Sequence, residues 1–185
     1  MSDSATLKTP LHALHVELGA RMGPFAGYDM PIHYRPGILA EHLHTRASAG
    51  LFDVSHMGQA ELNGPDHETT ARALERLCPA DIVSLAPGRQ RYTQLLNAEG
   101  GVIDDLMVTR PPGADGRLFL VVNASRKAVD FALLEATLPL SVRLTRLDEA
   151  ALRIPVRRSV AIASQRQCHH LGQMQRMAWR VLLDL

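Results

Sequence analysis

The hydrophobic and polar positions of the chain follow recognisable secondary-structure periods as far as Leu152. Apolar residues at three- and four-residue spacing predict four helices, over residues 9–19, 36–50, 65–77 and 124–138. The apolar stripe predicted for the third helix consists of Ala71, Leu74 and Leu77. The stripe predicted for the fourth helix consists of Val129, Ala132, Leu133 and Ala136.

Segments with two-residue alternation lie between these helices and predict strands. The runs "RQRYTQLLN" and "GVIDDLMVT" are joined by "AEGG", whose glycines favour a hairpin turn. Further strands are predicted in "LFDVSHMG", "QAELNG", "RLFLVVN" and "SVRLTRLDEAAL", and an extended loop or irregular strand in "RMGPFAGYDMPIHY". This mixture of antiparallel strands with flanking helices predicts an α+β fold.

Two adjacent acids interrupt the strand predicted in "GVIDDLMVT". Aspartate is depleted in strands, and neighbouring side chains in a strand point to opposite faces. Alternation predicts that Asp105 shares a face with Ile103, Met107 and Thr109, and that Asp104 shares the other with Val102, Leu106 and Val108. One carboxylate must therefore lie beside the core, where an unpaired charge is costly. The pair is a candidate functional site, and the alternative is an acid that caps a turn or pairs with an arginine.

Composition limits the class of protein. The chain has 185 residues, of which 46% are hydrophobic, and it shows no apolar run of membrane-spanning length and no signal-peptide pattern. Two cysteines, Cys78 and Cys168, are too few for a disulfide framework, which favours a cytoplasmic protein. Charge is uneven: residues 153–185 contain six arginines and one acid, while the rest has 14 basic and 18 acidic residues.

The nine histidines of the chain do not indicate a metal site. His12 and His15, or His42 and His44, lack further ligands at short spacing, so we expect no metal. His56 follows a predicted strand, where a loop position favours ligand contact. The chain contains neither a glycine-rich dinucleotide motif nor a phosphate-binding Walker loop.

Several long motifs resemble one family in order and spacing. They are "TPLHALHVELGARMGPFAGYDMPIHY", "GILAEHLHTRASAGLFDVSHMGQAELNGPD", "YTQLLNAEGGVIDDLMV" and "LFLVVNAS". They resemble the N-terminal part of the glycine cleavage system T protein, the tetrahydrofolate-dependent aminomethyltransferase. The resemblance runs from about Thr9 to Leu152 and implies the N-terminal part of that folate-binding fold.

The resemblance implies a role for individual residues. Asp105, the second acid of the Gly-Gly-x-x-Asp-Asp motif, matches the catalytic carboxylate, which leaves Asp104 as the ordinary acid of the pair. Met57, Tyr92 and Asn123 match positions that line the folate pocket, although simple core packing is the alternative for Tyr92 and Met57. The implied substrates are tetrahydrofolate and an aminomethyl-bearing lipoyl group, which the H protein of the glycine cleavage system carries.

The resemblance ends abruptly after "LDEAAL". The family usually continues with Ala-Leu-Gln-Gly-Pro or Ala-Phe-Gln-Gly-Pro, whereas this chain has "RIPVRRS". We therefore predict an incomplete N-terminal aminomethyltransferase region at residues 1–152 and a basic, poorly ordered tail at 153–185, as a truncated or frameshifted gene would produce. Such a chain is expected to be inactive, because the remaining folate ligands of the family lie in the missing region.

Two other functions compete with aminomethyl transfer. A folate-binding protein without transfer activity, like relatives in iron–sulfur cluster repair, would share the fold. A nucleic-acid-binding tail is disfavoured, since the arginines of 153–185 come without lysine or interleaved aromatic residues. We expect neither nucleic acid nor membrane as a partner.

Overall fold

The computed structural model describes residues 6–147 and the backbone of residues 160–164. The described chain divides into two compact units. The first contains residues 6–56 together with strand 160–164, and the second contains residues 57–147. Most of the predicted tail, and its predicted disorder, lies outside the described residues.

The first unit combines two short helices with two small sheets. Helix α1 spans His12–Glu17 and helix α2 spans Ile38–Ala47. A three-stranded sheet has the order β1 (Leu7–Lys8), β3 (Tyr28–His33), β2 (Arg21–Phe25), and a second sheet pairs β4 (Ala49–Asp53) with β10 (Val160–Ser164). The segment predicted as an extended loop or irregular strand is therefore the antiparallel β2–β3 hairpin.

The β2–β3 hairpin closes through a two-residue turn. Ala26 and Gly27 both have positive φ, at 49° and 83°. A two-residue turn with positive φ at both positions matches the right-handed twist of the flanking strands. Ala26 is the only non-glycine residue of the described chain in this region of backbone space.

The second unit is a five-stranded sheet with two helices. The sheet order is β6 (Gln90–Leu96), β7 (Val102–Thr109), β8 (Arg117–Val122), β5 (Gly58–Asn63), β9 (Arg143–Arg146), and every pairing is antiparallel. Helix α3 spans His67–Glu75, and helix α4 spans Lys127–Thr137. Asp66 caps α3 by accepting a hydrogen bond from the Thr69 backbone amide at 2.7 Å. The fold is α+β, as the sequence predicts.

The core of the second unit lies between one face of the sheet and the two helices. Helix α3 buries Ala71 and Leu74 of the predicted stripe, and Leu77, which follows the end of α3, is buried in the same core. The stripe predicted for α4 is only partly right, because Leu133 packs half-buried against the core but Val129 is 44% exposed. The fully buried residues of that helix are Asp130, Phe131 and Leu134. Phe131 and Leu134 are bulkier than the alanines of the predicted stripe and bury more apolar area.

Candidate functional site in the second unit

Strand β7 presents the two adjacent acids to opposite faces of the sheet. From Asp104 onward the predicted alternation holds, because Leu106 and Val108 are buried in the core and Asp105 and Met107 are half-buried on the other face. Val102 breaks the predicted alternation and is 62% exposed. The cause is a bulge, since Leu95 pairs with Asp104 but Leu96 pairs with Val102.

An arginine holds the bulge in β7. The bulged residue is Ile103, and its carbonyl oxygen accepts a hydrogen bond of 3.2 Å from the Arg126 guanidinium. Arg126 is the residue that precedes helix α4. Bulges re-aim neighbouring side chains. Here the bulge exposes Val102, while Asp104 and Asp105 keep the faces that alternation with Leu106 and Val108 gives them.

Asp105 lies beside Tyr92 on the outer face, the face of the sheet away from α3 and α4. In the β6–β7 ladder Gln94 pairs with Asp105 and Tyr92 pairs with Met107, so Tyr92 and Asp105 are diagonal neighbours. Partial burial, followed by the Asp105 charge and a side-chain hydrogen bond to it, raises the pKa of the Tyr92 hydroxyl. Tyr92 is 55% exposed, so core packing does not account for its ring.

Asn123 connects the two acids of β7. Its Nδ2 donates to Asp104 Oδ1 at 3.0 Å and to the backbone carbonyl oxygen of Asp105 at 3.3 Å. Asn123 directly follows Val122, which pairs with Gly58, and Met57 directly precedes Gly58. The structure therefore brings Asp105, Tyr92 and Asn123 together, and it places Met57 at the same end of the sheet as Asn123.

Gly58 allows helix α4 to approach this end of the sheet. A Cβ atom at Gly58 would lie 2.6 Å from Val122 Cγ2 and 2.7 Å from Lys127 Cγ. Both distances are shorter than van der Waals contact, so any other residue would force the side chains of Val122 and Lys127 to move. Close packing next to the candidate site therefore explains why the last residue of "SHMG" is a glycine.

The core face holds an acidic pair that the sequence analysis missed. Asp130 of α4 has no exposed surface. Burial, followed by a side-chain hydrogen bond to Asp104 and the Asp104 charge, raises the pKa of Asp130 from its ordinary 3.8 to about 7. Asp104 is therefore not an ordinary strand-edge acid, as expected from the sequence, but one half of a carboxyl pair.

The sequence contains a signal for Asp130. Phe131, Leu134 and Leu138 recur at helical spacing and are larger than three of the four residues of the predicted stripe. A stripe chosen by side-chain size would have included Asp130, because residues one turn apart share a helix face.

A different acidic site occupies the first unit. The Asp53 side chain is 1% exposed, and its Oδ2 accepts from Thr9 Oγ1 at 2.7 Å and contacts His15 Nε2 at 2.9 Å. Asp53 Oδ1 accepts from the Ser55 amide at 2.9 Å, and His15 Nδ1 contacts the Tyr34 hydroxyl at 2.6 Å. Burial raises the pKa of Asp53, but the hydrogen bonds from Ser55, His15 and Thr9 outweigh it, so the net pKa is lowered.

The histidines considered as ligands have structural contacts. His12 Nε2 lies 2.8 Å from Asp29 Oδ2, and His15 contacts Asp53. His56 lies in the turn between β4 and β5, as the sequence predicts, but it is 7% exposed and packs edge-on against Phe25. Its predicted ligand contact stays a prediction. Within residues 6–147, no group of three or more metal-ligating side chains is placed to bind a metal ion, and no helix is long and apolar enough to cross a membrane.

Comparison with known proteins identifies close relatives. Aminomethyltransferase from Synechococcus elongatus is 39% identical over 159 residues, 85% of this chain and 42% of the relative. Aminomethyltransferase from Deinococcus deserti is 43% identical over 133 residues, 72% of this chain and 36% of the relative. The chain thus spans less than half the length of these relatives.

A solved structure and a family definition agree with these relatives. The crystal structure of glycine cleavage system aminomethyltransferase T from Bartonella henselae matches with a TM-score of 0.74 and 38% identity, over 86% of this chain and 41% of that one. The family described as the GCVT N-terminal domain matches residues 11–157. The matched region covers residues 11–56 of the first unit and all described residues of the second, and it extends beyond Leu152. The chain belongs to the GCVT N-terminal domain family.

Proposed function

We propose that this chain carries the catalytic carboxylate and part of the folate pocket of a glycine cleavage aminomethyltransferase. The reaction transfers a methylene from an aminomethyl group on the lipoyl arm of the H protein to N5 of tetrahydrofolate and releases ammonia. The observation that carries the proposal is the juxtaposition of Asp105, Tyr92 and Asn123 at one end of the sheet. The names of the relatives support the reaction class.

Asp105 supplies a fixed negative charge in this proposal. Positive charge develops on the transferred carbon and on N5 as the bond to the lipoyl arm loosens. A carboxylate held by its strand stabilises that charge without reorganising, and it can accept or direct a proton. The hydrogen bond from the Tyr92 hydroxyl orients the carboxylate, while strand alternation in β7 directs it to the outer face.

The remaining residues are assigned to binding. The exposed Tyr92 ring provides an aromatic surface for the pterin or aminobenzoyl ring. Met57 adds a polarizable thioether at the same end of the sheet as Asn123. Asn123 is the least free of the three, because its Nδ2 already donates to Asp104 and to the Asp105 carbonyl. Its carbonyl oxygen is the atom that we assign to ligand binding.

The experiment transplants the site into a complete enzyme and tests it there. Residues 9–147 replace the matching segment of the Synechococcus elongatus relative, and methylene transfer to tetrahydrofolate is assayed with lipoylated H protein. Asp105→Asn should lower the turnover of this chimera roughly 100- to 1000-fold, the usual effect of removing one electrostatic stabiliser of the transition state. Isothermal titration of the unmodified chain with tetrahydrofolate tests binding separately.

The control variant is Glu135→Gln on the exposed side of α4, which removes the same charge outside the site. The chimera and its Glu135→Gln variant should turn over at similar rates. Equal turnover of the chimera and its Asp105→Asn variant would contradict the catalytic role. Folate binding by the unmodified chain, together with an inactive chimera, would instead favour a folate-binding protein without transfer activity.

A further inference from the structure

Three carboxyl oxygens between β7 and α4 lack any ordinary hydrogen-bond donor. They are Asp104 Oδ2 and both oxygens of Asp130, and all three are buried. Within residues 6–147, neither acid has a cationic partner within ion-pair distance. The Arg126 guanidinium, whose charge lowers the pKa of Asp130, donates instead to the carbonyl oxygen of Ile103. Two ionised carboxylates in this position would be strongly unfavourable.

Burial of the two neighbouring carboxyl groups without a described cationic partner is explained if one of them carries a proton. A protonated carboxyl donates one hydrogen bond, and the other acid supplies an acceptor for it. Asp104 Oδ1 already accepts a hydrogen bond from Asn123, whereas neither oxygen of Asp130 has a donor among the described residues. The proton therefore belongs on Asp130, and its hydrogen bond is directed at Asp104.

We propose that Asp130 and Asp104 share one proton, and that this buried pair positions Asn123 and the backbone of Asp105. The amide of Asn123 is the physical link, because it donates both to the Asp104 carboxylate and to the Asp105 carbonyl oxygen. Asp104 and Asp130 are positioning residues that do not touch a substrate. The positioning of a catalytic carboxylate rests on the proposed function, whereas the shared proton does not.

The charged groups around Asp130 decide the direction of its titration. Asp104 and Asp105 of β7 oppose its ionisation, while Arg126 at the start of α4 favours it. Arg146 of β9 lies over the neighbouring Phe131 ring, 4.8 Å from its centre. Burial and the charges of the two acids together outweigh the charge of Arg126. The proton therefore remains bound to Asp130 until the pH approaches about 7. Above that pH the pair carries two charges, and its contact with Asn123 should loosen.

Carboxyl-carbon NMR of the full chain labelled at aspartate tests the shared proton. The wild type should show one aspartate that titrates near pH 7 instead of near 3.8. Asp130→Asn should abolish that titration, because an amide donates to Asp104 at every pH. A wild type whose aspartates all titrate below about pH 5, near their ordinary range, would overturn the proposal.

The side-chain amide of Asn123 tests the positioning. In the wild type its resonances should shift with pH at the same midpoint as the Asp130 carboxyl. In Asp130→Asn they should no longer depend on pH. The amide resonances of Asn97 in the β6–β7 turn are the internal control and should not shift in either chain. An Asn123 amide that ignores the Asp130 titration would overturn the positioning role. If Asp130→Asn fails to fold, the aspartate and Asn123 titrations of the wild type still test the shared proton and the positioning role. Asp104→Asn is then the second variant, and it should also abolish the titration near pH 7.

The outcomes separate this inference from the proposed function. A titrating Asp130 with an Asp105→Asn chimera of full activity would leave the shared proton standing and remove the catalytic site. A normal Asp130 titration with an inactive Asp105→Asn chimera would overturn the inference and leave the catalytic carboxylate in place.

Discussion

Asp53 in the first unit and Asp130 in the second are both buried carboxyl groups, but their neighbours differ in what they can donate. Asp53 is surrounded by the Thr9 hydroxyl, the His15 ring and the Ser55 amide. Asp130 faces another acid and receives no donor from the described residues. The pKa of Asp53 is accordingly lowered despite burial, and the pKa of Asp130 is raised to about 7.

The two sites teach that burial alone does not fix the charge of a carboxyl group. Burial always favours the neutral form, and only hydrogen bonds or opposite charges can reverse that preference. The reversal has a consequence for stability. Asp53 contributes stability above its ordinary pKa, and this is lost as the pH falls through its lowered value. The contribution of Asp130 is complete at low pH and is lost as the pH rises through about 7.

The largest expected effect is the loss of the Asp53 carboxylate. Asp53→Asn should reduce the free energy of unfolding of the first unit by about 3 kcal/mol, since each hydrogen bond to a charged acceptor contributes roughly 1.5–3 kcal/mol and the amide keeps part of them. Urea unfolding, with hydrogen exchange of the β4 peptide to identify the unit, measures this change. The variant should also lose the stability decrease of the wild type on acidification.

Asp29→Asn is the matched control for Asp53. Asp29 has one described partner, His12, and its side chain is 28% exposed. The cost of Asp29→Asn should stay below about 1 kcal/mol, as for other partly exposed ion pairs. If Asp53→Asn destabilises the first unit no more than Asp29→Asn does, the donors around Asp53 do not stabilise its charge.

The next effect concerns Asp105, which is neither enclosed by donors nor paired with another acid. Tyr92→Ala should weaken tetrahydrofolate binding by on the order of 1–3 kcal/mol if the exposed ring stacks on the ligand. Tyr92→Phe keeps the ring and removes only the hydroxyl contact with Asp105, so it should bind nearly as well as the wild type. Calorimetric titration of the three chains makes the comparison. Unchanged affinity in Tyr92→Ala would exclude stacking.

The smallest effect tests the cation that opposes the raised pKa of Asp130. Arg126 lowers the pKa of Asp130, so Arg126→Met should raise the NMR titration midpoint of Asp130 above about 7. Arg72→Met on α3 removes the same charge from an exposed pair with Glu68 and should leave the midpoint unchanged. An Asp130 midpoint that does not move in Arg126→Met would show that the guanidinium is engaged by the bulge alone.

The local sequence pattern predicted most of the fold, because most helices and strands show the hydrophobic spacing typical of their type. The α3 stripe and the β6–β7 hairpin follow from spacing and turn glycines, and the structure confirms both. The family resemblance brought forward Asp105, Tyr92 and Asn123, which the fold places together. Their binding and catalytic roles stay predictions.

The mistakes arose where a long-range contact overrides the local period. Alternation predicts that Val102 shares a face with Leu106 and Val108, but the bulge at Ile103 shifts its register by one residue and exposes it. The stripe predicted for α4 follows position instead of side-chain size, and it leaves out the buried Asp130. No local pattern reveals a bulge held by an arginine 23 residues away.

The sequence by itself determined the α+β class, the location of the hairpin and the two adjacent acids on opposite faces of β7. Strand alternation is a property of the backbone, so it needs no partner. The tertiary structure decided which face is core, which acid is enclosed, and that Asp104 meets Asp130 from α4. The charge of a buried carboxyl depends on donors that come from distant parts of the chain, and only the folded arrangement determines which donors are present.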